Sequence, residues 1–182
     1  QGLFNAFNDM SARLNVYEEQ NIEQLTLERN KLEAVLMSIV NGVVVCDNND
    51  KVVLLNNHAK QMLELEDDQL LDTNIQNYVD TEGEYCFTDK IEEYKKLSLE
   101  EKSSKPVIFN ITIDGRILKS IISPMFTQNH DYVGYIIVLI DVTRETEMDK
   151  MKSDFISNVS HELRTPVTVL RSYIDTLYNY GD

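Results

Sequence analysis

Val107-Ile108-Phe109-Asn110-Ile111-Thr112-Ile113-Asp114-Gly115-Arg116-Ile117-Leu118-Lys119-Ser120-Ile121-Ile122-Ser123-Pro124-Met125 is the stretch whose reading decides the fold. Val107, Phe109, Ile111 and Ile113 alternate with more polar neighbours, the period of a strand with one face turned inward. Asp114-Gly115 follows, a pair suited to a tight hairpin because both central residues of such a turn adopt positive φ. Arg116 to Met125 then returns as the second strand. A lone hairpin is marginal in water, so further strands are needed. Tyr132 to Ile140 is almost wholly apolar and fits a central strand. Upstream, Gly42 to Cys46 and Val52 to Leu55 flank the polar Asp47-Asn48-Asn49-Asp50-Lys51, again two strands and a turn. Short helical pieces are expected at His58 to Leu65, Asp68 to Val79 and Thr88 to Leu97, and the polar Ser98 to Lys105 reads as loop. The order is two strands, several short helices, then three strands, in about 110 residues, enough for an independent core.

Composition narrows the function classes. The chain has 182 residues with 17 Lys and Arg against 31 Asp and Glu, a net charge of −14. No basic tract is present, which argues against nucleic acid as a partner, since phosphate contacts need clustered cations. Two cysteines, Cys46 and Cys86, make neither a disulfide framework nor a metal cluster, and a reducing, intracellular setting fits. The apolar runs are too short to span a bilayer. The chain reads as a fragment of a longer protein.

Both ends read as long helices. Leu3, Phe7, Met10, Leu14 and Tyr17 are spaced 4, 3, 4, 3. Ile22, Leu25, Leu32, Leu36 and Ile39 continue that rhythm if Arg29 occupies one slot. The step from Tyr17 to Ile22 is five residues, so the seam slips by one position there. Length and polar outer faces favour a paired coiled coil over a solitary helix lying on the globular core. From Arg144 onward, Met148, Met151 and Phe155 lead into Val159, Leu163, Pro166, Leu170, Tyr173 and Leu177, spaced 4, 3, 4, 3, 4. Burying one Leu or Ile is worth about 1.5–3 kcal/mol, against about 0.2–0.5 for a surface charge pair. Such a seam outweighs acidic self-repulsion, and a homodimer is the natural state.

His161 lies on this helix beside Glu162. At about 100° per residue it sits roughly 200° round from Val159, away from the seam. Arg164, Thr165, Thr168, Ser172 and Asp175 share that outer half. Imidazole ordinarily titrates at about pH 6.5, so near neutrality much of it offers a nucleophilic nitrogen. A carboxylate can hold the other ring nitrogen as N–H. The plain alternative is a surface His beside a surface Glu. A zinc helix of the His-Glu-x-x-His type is excluded because its fifth position is Thr165.

The whole string Phe155-Ile156-Ser157-Asn158-Val159-Ser160-His161-Glu162-Leu163-Arg164-Thr165-Pro166-Val167 closely resembles the phosphoacceptor box of two-component sensor histidine kinases, with Val167 where Leu is usual. The resemblance implies that His161 is phosphorylated by ATP and that Glu162 is the base that polarises it. It implies too that Thr165 positions water when the phosphorylated partner is dephosphorylated. Pro166 removes one helical hydrogen bond and invites a bend, where the helix of that family flexes.

The strand and helix order of the middle resembles a PAS sensor domain. Asp141-Val142-Thr143 matches the Asp-x-Thr junction through which such domains pass into a helix. Asp141 or Thr143 can cap that helix, and Glu145 and Glu147 suit its positive end. Phe4 to Leu14 resembles the second helix of a HAMP domain, which implies a parent protein anchored in a membrane upstream. Residues 151–166 and 172–182 look most like NblS-type kinases of cyanobacteria and red-algal plastids, and WalK-type kinases share the architecture.

The fold implied is α+β. A PAS domain with a five-stranded antiparallel sheet lies between an N-terminal coiled-coil helix and a long C-terminal dimerisation helix. The expected division is 1–17 end of HAMP, 18–33 coiled-coil linker, 34–143 PAS, and 144–182 first helix of the dimerisation and phosphotransfer domain. The implied activity is autophosphorylation on His161 from ATP with Mg, bound by a domain outside this chain, then transfer to a response-regulator aspartate. The implied location is the cytoplasmic or plastid-stromal side of a membrane. A non-enzymatic PAS and coiled-coil scaffold is the alternative.

For sensing, no cofactor is legible. Tyr85-Cys86-Phe87-Thr88 is not the Asn-Cys-Arg-Phe box of flavin-binding members. Cys46 falls in an expected strand and reads as packing. His58 could ligate haem or a metal or serve at the surface or as a cap, and His130 lies in a turn-like Asn129-His130-Asp131.

Overall fold

The computed structural model describes residues 1–80 and 82–180, and the side chains of all of these but Leu36 and Met37. The expected seam position at Leu36 and the terminal Gly181-Asp182 therefore fall outside what is described. Helix α1 (Gly2–Ser38) leads into β1 (Gly42–Asp47) and β2 (Val52–Leu55). Three short helices follow, α2 (Asn57–Met62), α3 (Thr88–Lys96) and α4 (Leu99–Ser104), with a 3-10 turn at Ile75–Asn77 between the first two. Then come β3 (Val107–Ile113), β4 (Arg116–Phe126), β5 (Tyr132–Asp141) and the long α5 (Thr143–Asn179).

The five strands form one antiparallel sheet in the order β2-β1-β5-β4-β3. The Asp114-Gly115 turn makes the β3–β4 hairpin as expected, with φ of 47° and 73°. The Tyr132-to-Ile140 run supplies the central strand, flanked by β1 and β4. Gly134 on β5 has φ 151°, and a Cβ there would run into the Cys46 carbonyl of β1, so only glycine permits that approach.

One face of the sheet carries the core. Val44 and Cys46 of β1, Ile111 and Ile113 of β3, Leu118 and Ile122 of β4, and Tyr135, Ile137 and Leu139 of β5 are buried. Ala59, Leu63, Ile75, Phe87, Ile91 and Tyr94 from the helical side close over them. Asn56 N-caps α2, its Oδ1 accepting from the Ala59 N–H and from the Val43 N–H across the domain. Asp50 is the least expected member of the interior. It is 2% exposed at the β1–β2 turn, and its carboxylate accepts from Tyr135 Oη (2.8 Å), Gln76 Nε2 (2.7 Å) and Lys95 Nζ.

Two expectations are corrected. Ser98 to Lys105 is not a loop: Ser98 accepts the Glu101 N–H while the Glu101 carboxylate accepts the Ser98 N–H, a reciprocal cap that starts α4. Its Lys102 is drawn inward, with its ammonium 4.8 Å and 5.0 Å above the rings of Tyr94 and Tyr132. Asp68 to Val79 is mostly turn, and only the single 3-10 turn forms in it. Asp67 and Asp72 take positive φ in this region, which stops a helix from continuing.

Candidate functional site

Helix α5 grows directly out of the sheet. Thr143 Oγ1 accepts from the Ile117 N–H of β4 (2.9 Å) and donates to Asp141 Oδ1 (2.6 Å). Asp141 Oδ1 also accepts the Thr143 N–H (3.0 Å), and the Val142 N–H reaches the Ile117 carbonyl (2.9 Å). Val142 therefore holds the N-cap position rather than either expected residue. Asp141 still satisfies the first helical N–H from just outside, and Thr143 ties it to the sheet. These hydrogen bonds from Thr143, with the charge of Arg116, hold the Asp141 carboxyl below the usual range.

From this root α5 runs unbroken for 37 residues with Pro166 inside it. Proline has no N–H to give, so the Glu162 carbonyl, four residues back, loses its ordinary helical partner beside His161. None of the residues of α5 is buried. His161, Glu162 and Thr165 are exposed together on consecutive turns. The seam is exposed as well, with Leu163 at 56% and Leu170 at 61%. What separates His161 from that seam is helical phase rather than cover. Helix α1 is alike: its described side chains are exposed up to Val35, Phe7, Leu14 and Leu25 among them.

The other candidate residues stand apart from this helix. Burial pushes the Cys46 thiol up to about 12 and the Cys86 thiol up to about 11, so neither is a ready thiolate. His58 lies in the first turn of α2 with its Nδ1 enclosed and without a hydrogen-bond partner. His130 is in the β4–β5 turn at φ 65°. Among the described residues, no group of three or more His, Cys, Asp and Glu could hold a metal ion. No described helix is long and apolar enough to cross a membrane. Sequence reasoning did not find Arg116 or Glu64, which meet beside the α5 root at 2.9 Å from 52 positions apart; no local pattern marks such a pair.

Known proteins bear on this geometry. Residues 40–144 match the PAS domain family, and residues 151–181 match the His Kinase A (phospho-acceptor) domain family. The chain is similar to "Drug sensory protein A" of Synechocystis sp., 31% identical over 97% of this chain and 29% of the relative. It is also similar to the "Uncharacterized sensor-like histidine kinase ycf26" of Pyropia yezoensis, 34% identical over 99% of this chain and 28% of the relative. It thus spans under a third of the length of these relatives. In fold it resembles the PAS domain of Bordetella pertussis BvgS, with a TM-score of 0.50 at 18% identity, covering 72% of this chain and 98% of that one. With a PAS domain feeding straight into a phospho-acceptor helix, and with relatives built alike along nearly its whole length, the chain belongs to the sensor histidine kinase family.

Proposed function

We propose that His161 is the residue phosphorylated in the parent protein, and that α5 is the first helix of a dimerisation and phosphotransfer domain. The observation that carries this is a solvent-exposed His161 beside an exposed Glu162, inside the segment similar to phospho-acceptor domains. One imidazole nitrogen attacks the γ-phosphorus of ATP, a nitrogen–phosphorus bond forms, and the bond to the bridging oxygen breaks as ADP leaves. Glu162 accepts the hydrogen bond, then the proton, of the other ring nitrogen. The phosphoryl group next passes to an aspartate of a response regulator docked on the same helices. In the reverse activity Thr165 holds the water that hydrolyses the phosphorylated regulator. ATP and Mg would be held by a nucleotide-binding domain outside this chain.

The remaining parts take their roles around that step. Residues 1–17 are read as the end of a HAMP domain, 18–33 as a coiled-coil linker, 34–143 as the PAS sensor or relay, and 144–182 as the phosphotransfer helix. The exposed seams of α1 and α5 support pairing with a second copy. The parent is read as membrane-anchored, with this portion on the cytoplasmic or stromal side.

The test is to give the full-length protein ATP and look for acid-labile, base-stable phosphate. It should form in the wild type and vanish in His161→Gln. Phosphate that persists in that variant removes the assignment. Regulator binding without any phosphate transfer would instead favour the scaffold.

A further inference from the structure

Arg116 bears on two carboxylates in different parts of the fold, bonded to Glu64 and acting through its charge on Asp141. It opens β4 just after the Asp114-Gly115 turn, and its Nη2 donates to Glu64 Oε1 at 2.9 Å and to the Gln61 carbonyl at 3.4 Å. Both partners belong to the end of α2, where Leu63 is the C-cap and Glu64 follows at φ 54°. That end is itself fixed from the helical layer, because the buried Tyr78 hydroxyl donates to the Leu63 carbonyl at 2.8 Å. The next two residues of β4 meet the α5 root. Leu118 pairs with Asp141 across β4 and β5, and Ile117 accepts the Val142 N–H at its carbonyl and donates its own N–H to Thr143 Oγ1. Both Thr143 hydrogen bonds fall on Asp141 Oδ1. Among the described residues, Asp141 Oδ2 takes none, so it can accept a guanidinium without disturbing the root.

We propose that Arg116 is a positioning residue shared between Glu64 on α2 and Asp141 at the root of α5. Movement of the α2 end away from the hairpin releases Arg116 to Asp141 and tightens the start of α5. The observed arrangement, with Arg116 on Glu64, is one state, and Arg116 on Asp141 is the other. Competition is possible because the Arg116–Glu64 pair is neither deeply buried nor free, its side chains being 34% and 26% exposed. A deeply buried pair would be too costly to exchange and a fully solvated one too weak to matter. The device links the helical layer to the outgoing helix through one charge. It does not depend on what His161 does, since its signature lies at the root of α5.

Hydrogen exchange of the Ile117, Thr143 and Thr146 amides in the full chain tests this, with NMR titration of Asp141. Glu64→Gln frees Arg116 and is expected to slow exchange at these amides by about two- to fivefold, with Asp141 titrating lower still. Arg116→Gln is expected to speed exchange by a similar factor and to let Asp141 titrate higher. An ordinary structural ion pair would make both variants loosen the root alike, and that result overturns the proposal, as does no change in either. Unchanged exchange at Ile137 reports an intact core. Should Glu64→Gln disturb that core, Glu64→Gln is compared with and without Asp141→Asn. The slowing should disappear in the Asp141→Asn background, and a slowing that survives there overturns the sharing.

Discussion

The sheet of this protein and the two helices that bracket it use apolar residues to opposite ends. In the PAS core, Val44, Ile122, Ile137 and Leu139 are fully buried within one chain, so the stabilisation of burying them is already realised. In α1 and α5 the apolar residues are as large and as regularly spaced, yet α5 buries none of them. A helix 37 residues long outruns a small domain, and a 3/4 apolar seam suits packing against another helix. One region has its apolar residues covered within a single chain, and the other leaves them exposed, as the proposed pairing with a second copy requires.

That contrast can be broken by mutation, beginning with the largest effect. Ile137→Ala in the central strand should cost about 2–5 kcal/mol, read as a lower denaturant midpoint for the sheet. Leu163→Ala, equally apolar but on the exposed seam, should leave that midpoint unchanged and weaken self-association by roughly ten- to a hundredfold, measured by sedimentation. If both changes lower the midpoint equally, the two regions are not independent. Asp50→Ala removes the acceptor shared by Tyr135, Gln76 and Lys95. Because Lys95 is partly solvated, the expected loss is about 1–3 kcal/mol, again in the sheet transition alone. Ser98→Ala should cost about 1 kcal/mol through loss of the α4 cap, visible as faster exchange at the amides of Glu101 and Lys102.

The smallest effect is electrostatic and lies at the boundary between the regions. The Asp141 carboxyl is held below its usual range by Thr143. Its contribution to the α5 root is thus present above the unfolded-state value, about pH 4, and lost as pH falls through the lower folded value. The protection of the Thr143 amide relative to its intrinsic exchange rate should fall on acidification below about pH 4, and Asp141→Asn should abolish that dependence without altering the pH response of the core.

Much of this was legible in the chain itself. The alternation from Val107 to Ile113, the Asp114-Gly115 turn and the apolar Tyr132-to-Ile140 run specify antiparallel strands by period and turn chemistry. The 3/4 spacing around His161 specifies a helix and places the imidazole off its seam. The cap at Ser98 was legible too, since Ser98 and Glu101 stand three apart, but the polarity of their neighbours argued for a loop. Local pattern decides local structure, because hydrogen bonds and apolar faces repeat over a few residues.

What only the tertiary structure decided are the contacts between distant residues. Asp50 reads as one more polar turn residue until the sheet brings Tyr135 to it from 85 positions away. Arg116 and Glu64 share no motif, and they meet because α2 ends where the hairpin tip arrives. Charges paired across such separations carry no period in sequence. Their partners are fixed by the path of the folded backbone, and that path exists only once the core has formed.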